Sequence, residues 1–100
     1  MGLVNMKQEN TLETLTKDLW ESVENQKDVI IQWHLHGCTV RICACLDDIV
    51  TDECLILTSG NDEFIIDYKN SSQFNVTKDE FEHNYYLTCD DVNIEIGFMN

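Results

Sequence analysis

The sequence predicts an α+β fold. One N-terminal amphipathic helix packs on a five- to six-stranded antiparallel sheet, curled or rolled into a small, partly open barrel. Three observations predict it. A single stretch, residues 11–25, carries apolar residues at helical spacing. From Val29 onward apolar and polar residues alternate instead, with the period of two of a half-buried strand. Turn-forming clusters such as Gly37-Cys38 and Ser59-Gly60-Asn61-Asp62 then interrupt the alternation at hairpin-like intervals.

The helix comes first. Residues 1–9 read as a frayed lead-in, and Asn10 with Glu13 three positions later forms a capping-box-like start. Leu12, Leu15, Leu19 and Val23, joined by Trp20, make one apolar stripe, while Glu13, Lys17, Asp18, Glu21 and Glu24 take the opposite face. Asn25 is a reasonable stop. A single stripe must be covered, and packing on the core is its simplest role.

In the first strand Val29, Ile31, Trp33 and Leu35 share a face, and the run Thr39–Leu46 alternates again. Folding the two about a Gly37-Cys38 turn sets His36 against Thr39, Leu35 against Val40, Trp33 against Ile42, Ile31 against Ala44 and Val29 against Leu46. A one-residue slip would turn every apolar side chain to the wrong face, so the register is well specified. Ile49-Val50, between Asp47-Asp48 and Asp52-Glu53, is either a bulged continuation or a connecting turn. Cys54–Thr58 and Glu63–Tyr68 are the next strands, followed by a polar loop, Lys69–Gln73. Phe74 and Val76 add a short strand. Thr77-Lys78-Asp79-Glu80 is a capping box for one helical turn through His83-Asn84. Tyr85–Cys89 and Val92–Phe98 close the meander. No repeat or linker interrupts it, so residues 1–100 read as one domain, with strands over 29–98. In strand pattern alone, over residues 11–98, the chain loosely resembles the Sm-like and SH3-like barrels, without their RNA-binding signatures.

Charge narrows the function. The chain has 19 Asp+Glu against 6 Lys+Arg, a net charge of −13. Gripping a nucleic-acid backbone or an anionic membrane requires Lys and Arg, so both are excluded as direct partners. The 43% hydrophobic content excludes an acidic disordered tail. No apolar run approaches the ~18 residues of a membrane span. Five cysteines, an odd number, without an apolar leader point to free thiols in a reducing cytoplasm.

Motifs for chemistry are weak. His34 and His36 share a strand face with Cys43 and Cys45, a donor set zinc accepts in principle. The predicted pairing opposes it: Arg41 stands across from His34 and Gln32 across from Cys43. Nothing completes a cysteine–histidine nucleophile pair, and Asp90 to Glu95 lacks the glycine of a calcium loop. No catalytic residue, metal or other cofactor is assigned, and the chain reads as a non-enzyme.

The acids themselves are patterned. They fall as doublets at strand ends and turns: Asp47-Asp48, Asp52-Glu53, Asp62-Glu63, Asp79-Glu80 and Asp90-Asp91. Solubility in a small domain needs a charge magnitude of only about 2–8. A surface like this fits a basic one, and its capture would be fast and salt-sensitive. The expected contacts are Asp47, Asp48, Asp52, Glu53, Asp62, Glu63, Asp90 and Asp91, with Tyr85 and Tyr86 as aromatic anchors. The chain is rich in Asn, Asp, Glu and Ile, a bias that suggests an AT-rich coding genome. In size, charge and this bias it looks like the small acidic proteins that phages use against host nucleases, anti-CRISPR and DNA-mimic proteins among them. It is also similar to acidic immunity proteins that neutralise nuclease toxins. The resemblance implies an inhibitor of a basic, nucleic-acid-binding protein such as a CRISPR effector or other nuclease, working in the host cytoplasm as a monomer or small homo-oligomer. The alternative is an assembly module that forms a homo-oligomer and uses its charge for solubility.

Overall fold

The computed structural model of the chain describes residues 6–51 and 54–99, residues 6–8 by backbone alone. Helix α1 (Met6–Glu24) is followed by β1 (Asp28–Leu35), β2 (Cys38–Cys45), β3 (Asp48–Thr51) and β4 (Leu55–Ser59). Then come β5 (Asp62–Ile66), β6 (Phe74–Lys78), β7 (Tyr85–Cys89) and β8 (Val92–Phe98). The fold is α+β, as expected, but the strands form two antiparallel sheets and neither closes. A large sheet runs β2-β1-β8-β7-β6 and a small one β3-β4-β5. The simple meander is therefore corrected: β8 returns to lie beside β1.

α1 buries Leu15 and Leu19 completely, with Leu12 and Val23 packed at the margins of the core. It starts before Asn10, which lies inside the helix and accepts the Thr14 hydroxyl on its carbonyl at 3.0 Å, so Asn10 is not the cap. Trp20 stays 37% exposed, off the stripe. Beyond Asn25, Gln26 takes a left-handed φ of 54°. Its N–H bonds the Val23 carbonyl and the Lys27 N–H bonds that of Ser22, which caps the last helical carbonyls.

The β1–β2 register differs from expectation by two residues. The turn is His36-Gly37, so Leu35 pairs with Cys38, Trp33 with Val40, Ile31 with Ile42 and Val29 with Ala44. Gly37, at φ 81°, supplies the left-handed second turn residue that glycine adopts without cost. A shift of two keeps each side chain on its face, and it frees Leu46 to enter the core beyond the strand. Ile49-Val50 turns out to be a paired strand, β3. The segment after β6 makes the single helical turn expected, closed by the His83 N–H on the Asp79 carbonyl at 2.7 Å, but its cap is Asp79 rather than Thr77: Asp79 Oδ1 accepts the N–H groups of Phe81 and Glu82.

Both sheets and the helix share one core, with Ile31, Leu87 and Ile96 from the large sheet and Leu55, Leu57 and Ile66 from the small. Trp33 on β1 meets Phe64 on β5 with ring centroids 5.9 Å apart. Tyr85 is fully buried beneath α1 and donates its hydroxyl to Asp18 Oδ2 at 2.5 Å. Lys78 completes this tie, 3.9 Å from the same oxygen and 5.4 Å from the Tyr85 ring centroid. Asp18 thus belongs to the packed side of α1, not to its solvent face.

Candidate interaction surface

The small sheet turns Ile49, Leu55, Leu57 and Ile66 inward, which sends the intervening residues outward. Two rows cross its outer face. Val50 pairs with Ile56 and Ile56 with Ile65, an aliphatic row in which Val50 is 42% and Ile65 56% exposed. Next to it Asp48 pairs with Thr58 and Thr58 with Glu63, a row with an acid at each end. Residues 46–67 contain no Lys or Arg, so no cation of this segment neutralises those carboxylates.

The corner above these rows gathers four of the expected contact residues. Asp47 Oδ2 accepts the Gly60 N–H at 2.6 Å, and the Ser59 hydroxyl donates to the Cys45 carbonyl at 2.8 Å, which pins the β4–β5 turn to the end of β2. Asp47, Asp48, Asp62 and Glu63 therefore sit together. Asp90 and Asp91 do not join them. They lie in the β7–β8 turn, at the His36-Gly37 end of the large sheet, since His34 pairs with Asn93. The eight residues of β2 separate that end from Cys45 by roughly 23 Å. Asp90 is also engaged within the fold. At φ 53° it accepts the Gln73 N–H on Oδ1 and donates its own N–H to the Gln73 carbonyl. Asp52 and Glu53 lie outside the described residues. Of the two tyrosines, Tyr85 is a core residue and cannot be a surface anchor, whereas Tyr86 is 37% exposed on the outer face of the large sheet.

The histidine–cysteine set is dispersed. His34 stands opposite Thr39, Gln32 opposite Arg41, Cys43 opposite Ile30 and Cys45 opposite Asp28, and His36 is in the turn. The expected facing of Arg41 with His34 and of Gln32 with Cys43 is corrected by the same two-residue shift. Thr39 Oγ1 lies 3.4 Å from His34 Nδ1, and the Cys43 thiol donates to Met99 Sδ at 3.8 Å. Among the described residues no group of three or more His, Cys, Asp or Glu could hold a metal ion. Desolvation, with Asp28 beside it, pushes the Cys43 thiol up, and burial does the same to Cys89, so neither is primed as a thiolate.

A cleft of about 510 Å³ runs between α1 and the small sheet, lined by residues that include Leu12, Leu55 and Tyr68 with Glu9, Glu13 and Lys69. Among the described residues no histidine or cysteine lines it. No helix among the described residues is long and apolar enough to cross a membrane.

Sequence reasoning missed two features. The aliphatic row depends on β3, which is too short to read by periodicity. Phe81, 96% exposed at the tip of the β6–β7 turn, sits between Glu80 and Glu82. Its signal was a lone aromatic among acids where alternation had lapsed. Comparison of the chain with protein-family models, curated proteins and solved structures finds no match.

Proposed function

We propose that this chain is a non-enzymatic inhibitor that binds a basic, nucleic-acid-binding protein through the outer face of its small sheet. One observation carries the reading: an exposed aliphatic row, Val50–Ile56–Ile65, lies directly beside the acid-ended row Asp48–Thr58–Glu63. Apolar contact supplies affinity in the centre of such a surface, and carboxylates at its rim select a partner rich in Lys and Arg and steer its approach. A groove built for nucleic acid presents that chemistry, and a domain occupying it excludes the nucleic acid. Compositional resemblance to phage inhibitors favours a CRISPR effector or another nuclease as the partner. All five cysteines are free, which suits a reducing cytoplasm.

The test is capture of partners at low and high salt with the wild-type chain and with a variant carrying Asp48→Asn, Glu63→Gln and Ile65→Ser. The captured protein should be basic, should be released by salt, should lose its own nucleic-acid binding in the complex, and should not be held by the variant. Capture that is indifferent to both salt and the substitutions would refute the reading.

A further inference from the structure

We infer that β2 is a self-pairing edge, and that two copies of the chain join along it into one continuous antiparallel sheet.

Among the described residues the two sheets leave four edge strands, and three of them are guarded. β6 packs against α1 and ends on Lys78. β3 is four residues long, begins with Asp48 and also lies against α1. β5 opens with Asp62-Glu63. Charge, shortness and cover are the usual devices that keep an edge from pairing with another chain. Over residues 38–44 β2 has none of them, and it is held at its last residue, where the Ser59 hydroxyl donates to the Cys45 carbonyl. It is eight residues long, holds none of the 19 carboxylates and no proline, and carries a single charge, Arg41. Its residues are exposed except for the half-buried Ile42 and Ala44. A chain this acidic has kept acids off its longest uncovered edge.

The sequence of that edge complements itself. Two β2 strands paired antiparallel about a two-fold axis keep their inner and outer faces aligned only when the axis passes through opposed copies of one residue. The two longest overlaps centre on Arg41 or on Ile42. Centring on Arg41 sets two guanidinium groups directly opposite, which is unfavourable. Centring on Ile42 sets Ile42 against its own copy and Val40 against Ala44, covering a Val40 that is 43% exposed. On the outer face it sets Arg41 against Cys43 of the second copy. Within each copy Asp28, the cross-strand partner of Cys45, reaches the Cys43 thiol. Each Arg41 therefore approaches an Asp28–Cys43 pair across the junction, and the symmetry makes this contact twice.

Two bodies of charge −13 repel, and salt screens that repulsion more than it weakens a hydrogen-bonded strand pair. The dimer should therefore strengthen with salt, opposite in sign to capture of a basic partner, so the two proposals stand or fall separately. Sedimentation of the full chain, from micromolar to near-millimolar concentration at low and high salt, is the test. The wild type should show a reversible dimer favoured by concentration and salt. Arg41→Glu should raise its dissociation constant about tenfold or more while leaving the thermal midpoint, measured at a concentration where the wild type is monomeric, unchanged. Ile42→Cys reads the register independently: mild oxidation should give a disulfide joining the two substituted positions, identified by peptide mass spectrometry. A wild type that stays monomeric throughout, a dimer that Arg41→Glu leaves intact, or cross-links that avoid position 42 would overturn the inference.

Discussion

The outer faces of the two sheets are built from the same chain to opposite specifications. On the large sheet one row reads Arg41, Gln32, Glu95, Tyr86, Thr77 and the next Thr39, His34, Asn93, Thr88, Asn75. Its acid Glu95 is not left bare: the side chains of Gln32 and Asn84 donate to Glu95 Oε2 at 3.4 and 3.5 Å. The small sheet instead opposes an aliphatic row to an acid-ended one, in a segment without cations. A net charge of −13 is thus not spread evenly over the molecule. The large face is polar and internally satisfied, as a solvated surface should be, whereas the small face combines the two features that a partner would need to neutralise. The contrast teaches that the position of the charge, more than its amount, carries the functional information.

Leu57 and Ile56 are neighbours on β4, and they test whether the small sheet really has an inner and an outer side. Leu57 is fully buried and pairs with Ile49 and Phe64. Leu57→Ala should cost about 3 kcal/mol, within the range for a leucine deleted from a core. Ile56→Ala, on the outer row, should cost less than about 1 kcal/mol. Urea unfolding of the two variants measures both. Equal costs would mean that the outer row is packed in the free protein and unavailable to a partner.

Tyr85 and Tyr86 make the same comparison on the large sheet. Tyr85→Phe removes the hydroxyl donated to Asp18 and should cost about 1–2 kcal/mol, while Tyr86→Phe should leave the unfolding midpoint unchanged. The Tyr85 phenol is pushed well above its ordinary value, first by burial and then by the Asp18 carboxylate that accepts its hydrogen bond. The protonated form is the one the fold holds. Its contribution is complete below the unfolded value near 10 and is lost as pH rises beyond it. Wild-type stability should therefore decline in alkaline solution, and Tyr85→Phe should flatten that decline.

Not every acid at the crowded corner is free to serve a partner. Asp47 holds the Gly60 N–H, as a capping residue holds a helix start, and Asp47→Ala should cost about 1 kcal/mol by thermal unfolding. Asp62, with Ser59 across from it, should tolerate Asp62→Ala without loss. If both are silent, the corner is set by the strands and not by the carboxylate.

Much of the large sheet was legible because strand alternation fixes faces. The facing of β1, β2 and β8 followed directly from a period of two. Their register did not: Ile, Ala and Leu at alternate sites of the second run satisfy the pattern equally after a shift of two. The left-handed backbone of Gly37 decides the turn, and that is a property of the folded chain. The pairing of β1 with β8 joins residues 59 to 69 positions apart, beyond the reach of any local signal. Tyr85 and Tyr86 were separable in principle, since adjacent strand residues face opposite sides and cannot both be surface anchors. Asp18 was readable too, because it lies one turn from Leu15 and Ser22 on the packed side of α1. The acid doublets were found as sequence, but which of them meet depends on how the β4–β5 turn docks on the end of β2.

The smallest effect is the one that separates a functional cost from mere solubility. Asp48 and Glu63 lie two strands apart across Thr58, about 10 Å from one another, which is close to the screening length at 0.1 M salt. Their repulsion should be weak at that ionic strength and stronger in dilute buffer. The double substitution Asp48→Asn with Glu63→Gln should therefore raise the unfolding midpoint slightly at low salt and leave it unchanged at high salt. Asp48 also accepts the Ile49 N–H at 2.9 Å, a bond that the amide oxygen of asparagine can keep, so the comparison isolates charge. On the large sheet Glu95→Gln should lower the midpoint, because it weakens the acceptor for Gln32 and Asn84. Opposite signs from the two faces would show that the small sheet retains its acids at the expense of stability, as expected of a surface kept for a partner.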